Sequence, residues 1–162
     1  MTLEREVDTE RHKEKKKTVS AHRNLLERYV ELDNAGDLGA CMELYAEDAV
    51  QRMHDGTFAG RNAIRERLAR DLTACPDAAY TVGSFVEQGD SFADEWTFAG
   101  THTGPFLLPD GTQIPPTGKR VEIMGMELVV VRDGKIIIDN LYYDTMAILA
   151  QFGLLPQGAT AQ

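Results

Sequence analysis

The clearest hydrophobic pattern in the chain lies near its carboxyl end, where two apolar runs flank an Asp-Gly pair. The runs cover residues 121–132 and 135–143, and Asp133-Gly134 joins them. An Asp-Gly pair supplies the positive φ angles of a tight type I′ turn, so the pattern predicts an antiparallel hairpin. A helical pattern over residues 144–153 follows directly. The hairpin and its closing helix therefore form the frame of the predicted fold.

Side chains on a strand alternate between faces, which assigns each residue of the hairpin to one side. One face of the first strand carries Ile123, Gly125, Glu127, Val129 and Val131, and the other carries Met124, Met126, Leu128 and Val130. On the second strand Ile137, Asp139, Leu141 and Tyr143 share a face, opposite Ile136, Ile138, Asn140 and Tyr142. Both faces are largely apolar, which predicts a sheet covered on both sides, with a second copy of the chain on the outer side.

Two carboxylates, Glu127 and Asp139, interrupt these apolar faces. An unpaired buried carboxylate is costly, so each must be solvated, paired or protonated. We predict that Glu127 stays protonated and donates a hydrogen bond, the alternative being an ion pair at a pocket edge. Asp139 is a candidate general base, and the alternative is a partner for an arginine on a helix.

Upstream of the hairpin, the apolar spacing predicts three helices. The first begins near Thr18 and ends at Asn34-Ala35-Gly36, and the third begins after Gly60 and ends before Pro76. Asp37 is placed to cap a short second helix whose inward residues are Cys41, Leu44 and Tyr45. The third helix carries Ile64, Leu68 and Leu72 on its apolar face, with Arg61, Arg65, Glu66, Arg67 and Arg70 elsewhere.

Strands are predicted at residues 50–54, 57–59, 79–88 and 92–103. The segment from Gly104 to Gly118 contains four prolines and is predicted to be a rim or lid loop. The order of elements indicates an α+β fold, with N-terminal helices packed on a curved antiparallel sheet to form a cone-shaped pocket.

Composition restricts the remaining choices. A chain of 162 residues with 43% hydrophobic content suits one domain, predicted at residues 18–155 between a disordered or frayed extension (1–17) and a flexible tail (156–162). A formal net charge of -9 argues against nucleic-acid or membrane partners. No stretch resembles a signal peptide or a membrane span, and Cys41 and Cys75 suit reduced thiols, so a cytoplasmic location is expected.

The spacing of the histidines does not indicate a metal or cofactor site. His54 and His102 lack the spaced companions of a metal centre, so no metal and no cofactor are predicted. His102 is expected to organise the turn at residues 100–104, and His54 to lie beside the Asp55-Gly56 turn. Asp144 precedes the last helix and is predicted to be its N-cap.

Several motifs resemble the SnoaL-like polyketide cyclases of the nuclear transport factor 2-like superfamily over residues 18–153. The most specific are GTHTG at 100–104, PPTGKR at 115–120, the hairpin 121–143 and the helix 144–153. The first half also resembles ketosteroid isomerase, through RYV at 28–30, NAGDL at 34–38 and YAEDA at 45–49. This resemblance implies a conical pocket for a small lipophilic molecule and, often, a homodimer.

The resemblance also implies roles for particular residues. Tyr29 and Glu127 match the tyrosine and the protonated acid that hold an enolate in the isomerase. The isomerase's basic Asp corresponds to Met53, and the cyclases' Asp to Leu141, which leaves Asp139 as the nearest carboxylate on that face. Gln51 matches the cyclases' polar residue on the first strand. The expected catalytic residues are Glu127, Asp139 and Tyr29, and the expected substrate-binding residues are Gln51, Met53, Trp96, Leu141 and Tyr143.

Two classes of function fit these residues. In one, the chain is a cofactor-free acid-base enzyme of cyclase or isomerase type that acts on a small lipophilic carbonyl or polyketide-like compound. In the other, it is a non-catalytic small-molecule-binding or assembly protein that has lost the catalytic Asp, as Met53 and Leu141 suggest.

Overall fold

The computed structural model describes residues 19–54, 56–108 and 110–155. The predicted N-terminal extension (1–17) and C-terminal tail (156–162) lie outside the described residues. The described elements, in chain order, are α1 (Ala21–Asn34), α2 (Leu38–Met42), β1 (Tyr45–Met53), β2 (Gly56–Ala59), α3 (Arg61–Ala74), β3 (Ala79–Gln88), β4 (Ser91–Thr101), β5 (Phe106–Leu107), β6 (Gln113–Ile114), β7 (Arg120–Arg132), β8 (Lys135–Tyr143) and α4 (Thr145–Phe152).

Six strands form one curved sheet in the order β2-β1-β8-β7-β4-β3. The helices pack on this sheet, which confirms the α+β prediction. The sheet is mixed, however, because β1 pairs with β8 in parallel while the other pairs are antiparallel. A parallel pair needs a long connection, and the one from β1 to β8 contains four further strands of this sheet and α3.

The β7–β8 hairpin follows the predicted turn chemistry. Asp133 and Gly134 have φ angles of 52° and 73°, as a type I′ turn requires. The predicted faces of β7 are confirmed, since Val121, Ile123, Glu127, Val129 and Val131 are buried while Met124, Met126 and Leu128 are exposed.

One face assignment on β8 is wrong. Ile136 is buried in the core, although alternation from Asp139 placed it on the outer face. The register shifts between Val130 and Val131, which pair with Ile138 and Ile136, so Ile137 is an extra residue. An unpaired residue of this kind turns the side chains before it to the opposite face.

The boundary between α2 and β1 also differs from the prediction. Cys41 is buried within α2 as expected, but the helix ends at Met42, and Leu44 and Tyr45 lie beyond it. Tyr45 begins β1 because it already pairs with Ile136 of β8, so β1 runs to Met53 instead of covering residues 50–54. Strand pairing here overrides the helical spacing of the apolar residues.

Smaller elements complete the fold. β4 ends at Thr101, two residues before the predicted end, and the proline-containing loop includes the two-stranded ribbon β5–β6. Asp144 caps α4, since its carboxylate accepts hydrogen bonds from the backbone N–H groups of Met146 and Ala147.

Cys41 and Cys75 are buried free thiols, as predicted. Across the described ranges, no helix combines the length and the apolar character needed to cross a membrane.

Candidate active site

The candidate site is built from the inner, helix-covered face of the sheet. In the register of β4, β7 and β8, Glu127 lies between Asp94 on one neighbouring strand and Leu141 on the other. All three are buried. Asp139 lies one layer away, opposite Val129, and Gln51 of β1 pairs with it on its other side. The alternation of three strands therefore brings Asp94, Glu127 and Asp139 into one buried cluster of acids.

Asp139 is held by two hydrogen-bond donors. The Tyr45 hydroxyl and the Gln51 side-chain amide both donate to Oδ2 of Asp139, each over 2.8 Å. The residue is only 2% exposed, and its other oxygen, Oδ1, has no hydrogen-bond partner among the described residues. Asp139 thus bonds to two neutral donors, and not to an arginine of a helix as in the predicted alternative. Its Oδ1 atom remains available as a hydrogen-bond acceptor.

Burial and repulsion between neighbouring carboxylates raise pKa values within the cluster. Burial, followed by the charges of Asp139 and Asp94, raises the pKa of Glu127 well above its usual value. Burial also raises the pKa of Asp139, but the hydrogen bonds from Gln51 and Tyr45 oppose that rise by stabilising the ionised form. Burial thus raises the pKa of both acids, while the two donors favour the ionised form of Asp139.

Asp94 is the third acid of the cluster and was not foreseen from the sequence. Burial raises the pKa of Asp94 from 3.8 to about 6. Interaction with the Glu127 side chain lowers this pKa, and the charge of Asp139 raises it. Neither oxygen of Asp94 has a well-aligned hydrogen bond among the described residues. Asp94 alternates with the inward Phe92 and Trp96 on β4, and this spacing is the signal that could have identified it.

Two tyrosines extend the cluster towards α1. Tyr29 packs edge-on against Tyr45, with ring centroids 6.2 Å apart. Burial and the Asp139 carboxylate raise the pKa of Tyr45 well above its usual value, while a hydrogen bond from Tyr29 acts in the opposite direction. Tyr29 was predicted to donate to a ligand carbonyl, but the structure places it next to Tyr45, which itself donates to Asp139. Tyr45 was not identified as a site residue from the sequence, because it was assigned to the second helix.

Arg67 supplies a buried positive charge that sequence reasoning placed on the outer side of α3. It is 7% exposed, and its Nη2 forms an ion pair with Oδ2 of Asp71 over 2.7 Å. Burial alone would lower its pKa, but the Asp71 carboxylate, together with Tyr80, Tyr143 and Tyr29, outweighs burial, and the pKa is raised. The signal was present: Arg67 lies three residues after the buried Ile64 and so shares its face of the helix.

A cavity opens beside this cluster. Its free space is about 470 Å³, including the opening to solvent. The wall combines the Arg67–Asp71 pair with aromatic rings and aliphatic side chains: Ala74, Cys75, Tyr80, Trp96, Phe98, Phe106, Val121, Ile123, Tyr143, Ile148 and Phe152. Phe106 belongs to β5, so the loop that was predicted to form a rim contributes directly to this wall.

The predicted substrate-binding residues fall into two groups. Trp96 and Tyr143 line the cavity, and Trp96 lies so close to the neighbouring strand that a Cβ on Gly125 would come within 2.2 Å of its ring. Leu141 is buried and Met53 packs against the same apolar cluster. Gln51 lies with the acids, where it donates to Asp139. The aromatic cavity and the acid cluster are thus neighbouring parts of the inner sheet face, joined through β4, where Trp96 lines the cavity and Asp94 belongs to the cluster.

His54 and His102 both contact neighbouring main-chain or side-chain groups. The main-chain N–H of Thr117 donates to Nδ1 of His102 over 3.3 Å, and the His102 ring stacks on Phe152 with centroids 4.0 Å apart. His54 directly follows β1 and contacts Thr145 and Tyr143. Among residues 19–54, 56–108 and 110–155, no group of three or more His, Cys, Asp or Glu side chains is arranged to hold a metal ion.

Comparison with known families identifies the chain. The family model of the SnoaL-like polyketide cyclases matches residues 23–152, which cover the described helices and strands almost completely. The chain belongs to the SnoaL-like polyketide cyclase family. No protein among those with curated descriptions matches the sequence of this SnoaL-like chain.

Solved structures of the same fold include proteins from Streptomyces species. AclR, a hydroxylase candidate from Streptomyces galilaeus, has 25% identity and a TM-score of 0.74, with 86% of this chain and 89% of AclR covered. IdmH, a polyketide cyclase candidate from Streptomyces antibioticus, has 29% identity and a TM-score of 0.68, with 80% and 96% covered. SalBIII, an epoxide hydrolase/cyclase-like enzyme of pyran ring formation in salinomycin, has 21% identity and a TM-score of 0.64, with 77% and 92% covered.

Proposed function

We propose that this SnoaL-like protein catalyses a cofactor-free acid-base reaction, of cyclase or isomerase type, on a small lipophilic carbonyl compound of polyketide type. The family and its structural neighbours support a cyclase-type function. The observation that carries the finer proposal is the buried acid pair: burial raises the pKa of Glu127 well above its usual value, while two donors bind Oδ2 of Asp139 and favour its ionised form.

In this proposal Asp139 is the base. Its Oδ1 atom accepts a proton from the carbon next to the substrate carbonyl, while Oδ2 stays anchored to Tyr45 and Gln51. Because those donors hold the carboxylate in place, the base does not need to reorganise during proton transfer. Tyr29, whose ring packs edge-on against that of Tyr45, adds a second tyrosine to this arrangement.

Glu127 is the donor. As the substrate loses its proton, negative charge develops on the carbonyl oxygen, and a neutral carboxylic acid can donate a hydrogen bond that strengthens with that charge. An ionised Glu127 would repel the same oxygen. The raised pKa of Glu127 is therefore the property on which this role depends.

A proton-exchange assay tests the proposal without knowledge of the natural substrate. The probe is 2-tetralone, a bicyclic ketone with acidic protons next to its carbonyl, and the loss of its α-proton signal in D2O is followed by NMR. We expect the protein to accelerate exchange, and Asp139→Asn to reduce that acceleration by roughly 10²–10⁴-fold. Glu127→Gln, which keeps a donor but alters its acidity, is expected to slow exchange less.

Glu95→Gln is the matched control, because Glu95 lies next to Asp94 on β4 but points outward and is exposed. It should exchange the probe at the wild-type rate. Acceleration that survives Asp139→Asn would exclude Asp139 as the base.

A second candidate is a binding protein without turnover. The buried Leu141 and the apolar packing of Met53 favour it, since both stand where related enzymes are expected to carry carboxylates. Under this alternative the aromatic cavity binds 2-tetralone but no variant changes its slow background exchange.

We also propose a homodimer through the outer sheet face. Met124 is 72% exposed and Tyr142 58%, and Met126 and Leu128 are exposed between them on the same side of the sheet. An apolar patch of this kind on a soluble chain is typical of an interface. Sedimentation at micromolar concentration should give twice the mass of one chain; a monomer mass would refute the dimer. The proposed partners are thus a second copy and a small lipophilic molecule, with no nucleic acid and no membrane, in the cytoplasm.

A further inference from the structure

Two buried nitrogen donors share the wall of the aromatic cavity, and the acid-base proposal uses neither of them. The Arg67 guanidinium comes from α3, and the Trp96 indole comes from β4 on the sheet side. Both side chains are more than nine-tenths buried. The cavity therefore has an N–H donor on its helical wall and another on its sheet wall.

The indole N–H of Trp96 is an unsatisfied donor. Its Nε1 is buried and has no hydrogen-bond partner among the described residues. A buried donor without an acceptor is costly, so its persistence in a cavity wall calls for an acceptor from a bound molecule. Because an indole has no acceptor atom of its own, the bound group must supply the oxygen.

Arg67 specifies the kind of oxygen. Its positive charge is permanent, and it is the one cationic side chain among the described residues that line this cavity. The ion pair with Asp71 uses one terminal nitrogen, while the guanidinium as a whole carries five N–H groups. The remaining wall is mostly aromatic and aliphatic, and a charge-assisted hydrogen bond is stronger in such surroundings than in water.

We propose that Arg67 and Trp96 form a subsite for an acidic oxygen of the ligand, so that the preferred guest is an enolate, phenolate or carboxylate on an aromatic or fused-ring body. This inference rests on the proposed function only in naming the guest as its substrate. A ketone that also carries a phenolate or carboxylate group meets both requirements, since that group presents the anionic oxygen while the carbon next to the ketone keeps an acidic proton for Asp139. A neutral hydrocarbon of the same size leaves the indole N–H unpaired, and a neutral carbonyl compound pairs with it but gains no charge-assisted bond from Arg67.

The test compares two probes of the same shape, 2-naphthoate and its neutral amide, naphthalene-2-carboxamide. Affinities are measured by calorimetry, and the indole N–H signal is followed in ¹⁵N-resolved NMR spectra. Since Trp96 is the only tryptophan in the sequence, that signal needs no assignment. We expect the carboxylate to bind roughly tenfold or more tightly than the amide and to shift the indole signal downfield.

Variants separate the two donors. Arg67→Gln should abolish the preference for the carboxylate, and Trp96→Phe should weaken both probes while leaving part of that preference. Because Arg67→Gln removes the ion pair between Arg67 and Asp71 in the wall, the double variant Arg67→Gln/Asp71→Asn is measured as well, and it should also lose the preference. Equal affinity for the two probes in the wild type, preference for the amide, or a carboxylate preference that persists in the double variant would overturn the proposal.

Asp139→Asn distinguishes this subsite from the proposed catalytic function. It should stop exchange of 2-tetralone but keep the preference for 2-naphthoate. Loss of the carboxylate preference alone would refute the subsite, whereas absence of Asp139-dependent exchange alone would refute the enzyme.

Discussion

Replacing Tyr45 with phenylalanine removes one hydroxyl group from the buried cluster and little else. The ring is kept, so the apolar burial at the start of β1 is preserved. What is lost is the 2.8 Å hydrogen bond to Oδ2 of Asp139. A hydrogen bond to a charged group contributes about 1.5–3 kcal/mol, and we expect the free energy of unfolding to fall by about that amount at neutral pH.

The same substitution should change the acidity of Asp139. The Tyr45 hydrogen bond lowers its pKa by stabilising the ionised form, so its removal raises that pKa. The stability lost in Tyr45→Phe is therefore complete above the folded-state pKa of Asp139 and becomes smaller as the pH falls through it.

Chemical denaturation of four proteins measures this interaction: the wild type, Tyr45→Phe, Asp139→Leu and the double variant. We expect a coupling energy of about 1.5–3 kcal/mol between the two positions. Tyr142→Phe on the outer side of β8 is the control and should be neutral, because Tyr142 is exposed. A loss below about 0.5 kcal/mol in Tyr45→Phe, or an equal loss with and without Asp139, would refute the assigned role of Tyr45.

Three further predictions follow from burial, packing and surface character. Burial raises the pKa of Asp94 from 3.8 to about 6, so the folded state binds a proton more tightly than the unfolded state. The contribution of Asp94 to stability is thus complete below pH 4 and declines by roughly 3 kcal/mol as the pH rises to about 6. In denaturation curves, Asp94→Asn should remove this decline, whereas Glu95→Gln should keep it. Gly125→Ala places a Cβ within 2.2 Å of the Trp96 ring, and we expect about 1–3 kcal/mol of destabilisation with a shifted tryptophan emission; unchanged emission and stability would contradict the packing. Met126→Glu puts a charge into the exposed outer patch and should convert the dimer to a monomer in sedimentation without changing the exchange of 2-tetralone, while a variant that stays dimeric would place the interface elsewhere.

Much of the fold could be predicted because the local signals are strong. The Asp133-Gly134 turn and the alternation along β7 together place Glu127 on the inner face, and the structure agrees. The N-cap role of Asp144 likewise depends only on neighbouring residues. Features of this kind are encoded within a few residues of each other, so one sequence is enough to find them.

The errors arose where distant strands decide the outcome. The shift that returns Ile136 to the core depends on how β7 and β8 pair, and the assignment of Tyr45 to β1 depends on its pairing with β8. Neither can be read from local spacing. Arg67 and Asp94 were missed for another reason: their spacing places them on inward faces, but Arg67 was set apart from the apolar face of its helix and Asp94 was not singled out.

The central claim is that Glu127 and Asp139 hold one proton between them, with Glu127 protonated and Asp139 ionised. Carbon-detected NMR of the side-chain carboxyl groups, assigned with Glu127→Gln and Asp139→Asn, measures both titrations directly. The account predicts that near neutral pH the Glu127 carboxyl has the chemical shift of an acid and the Asp139 carboxyl that of a carboxylate. Two groups that both titrate near the usual values for exposed carboxylates would contradict it and would leave the binding protein as the remaining interpretation.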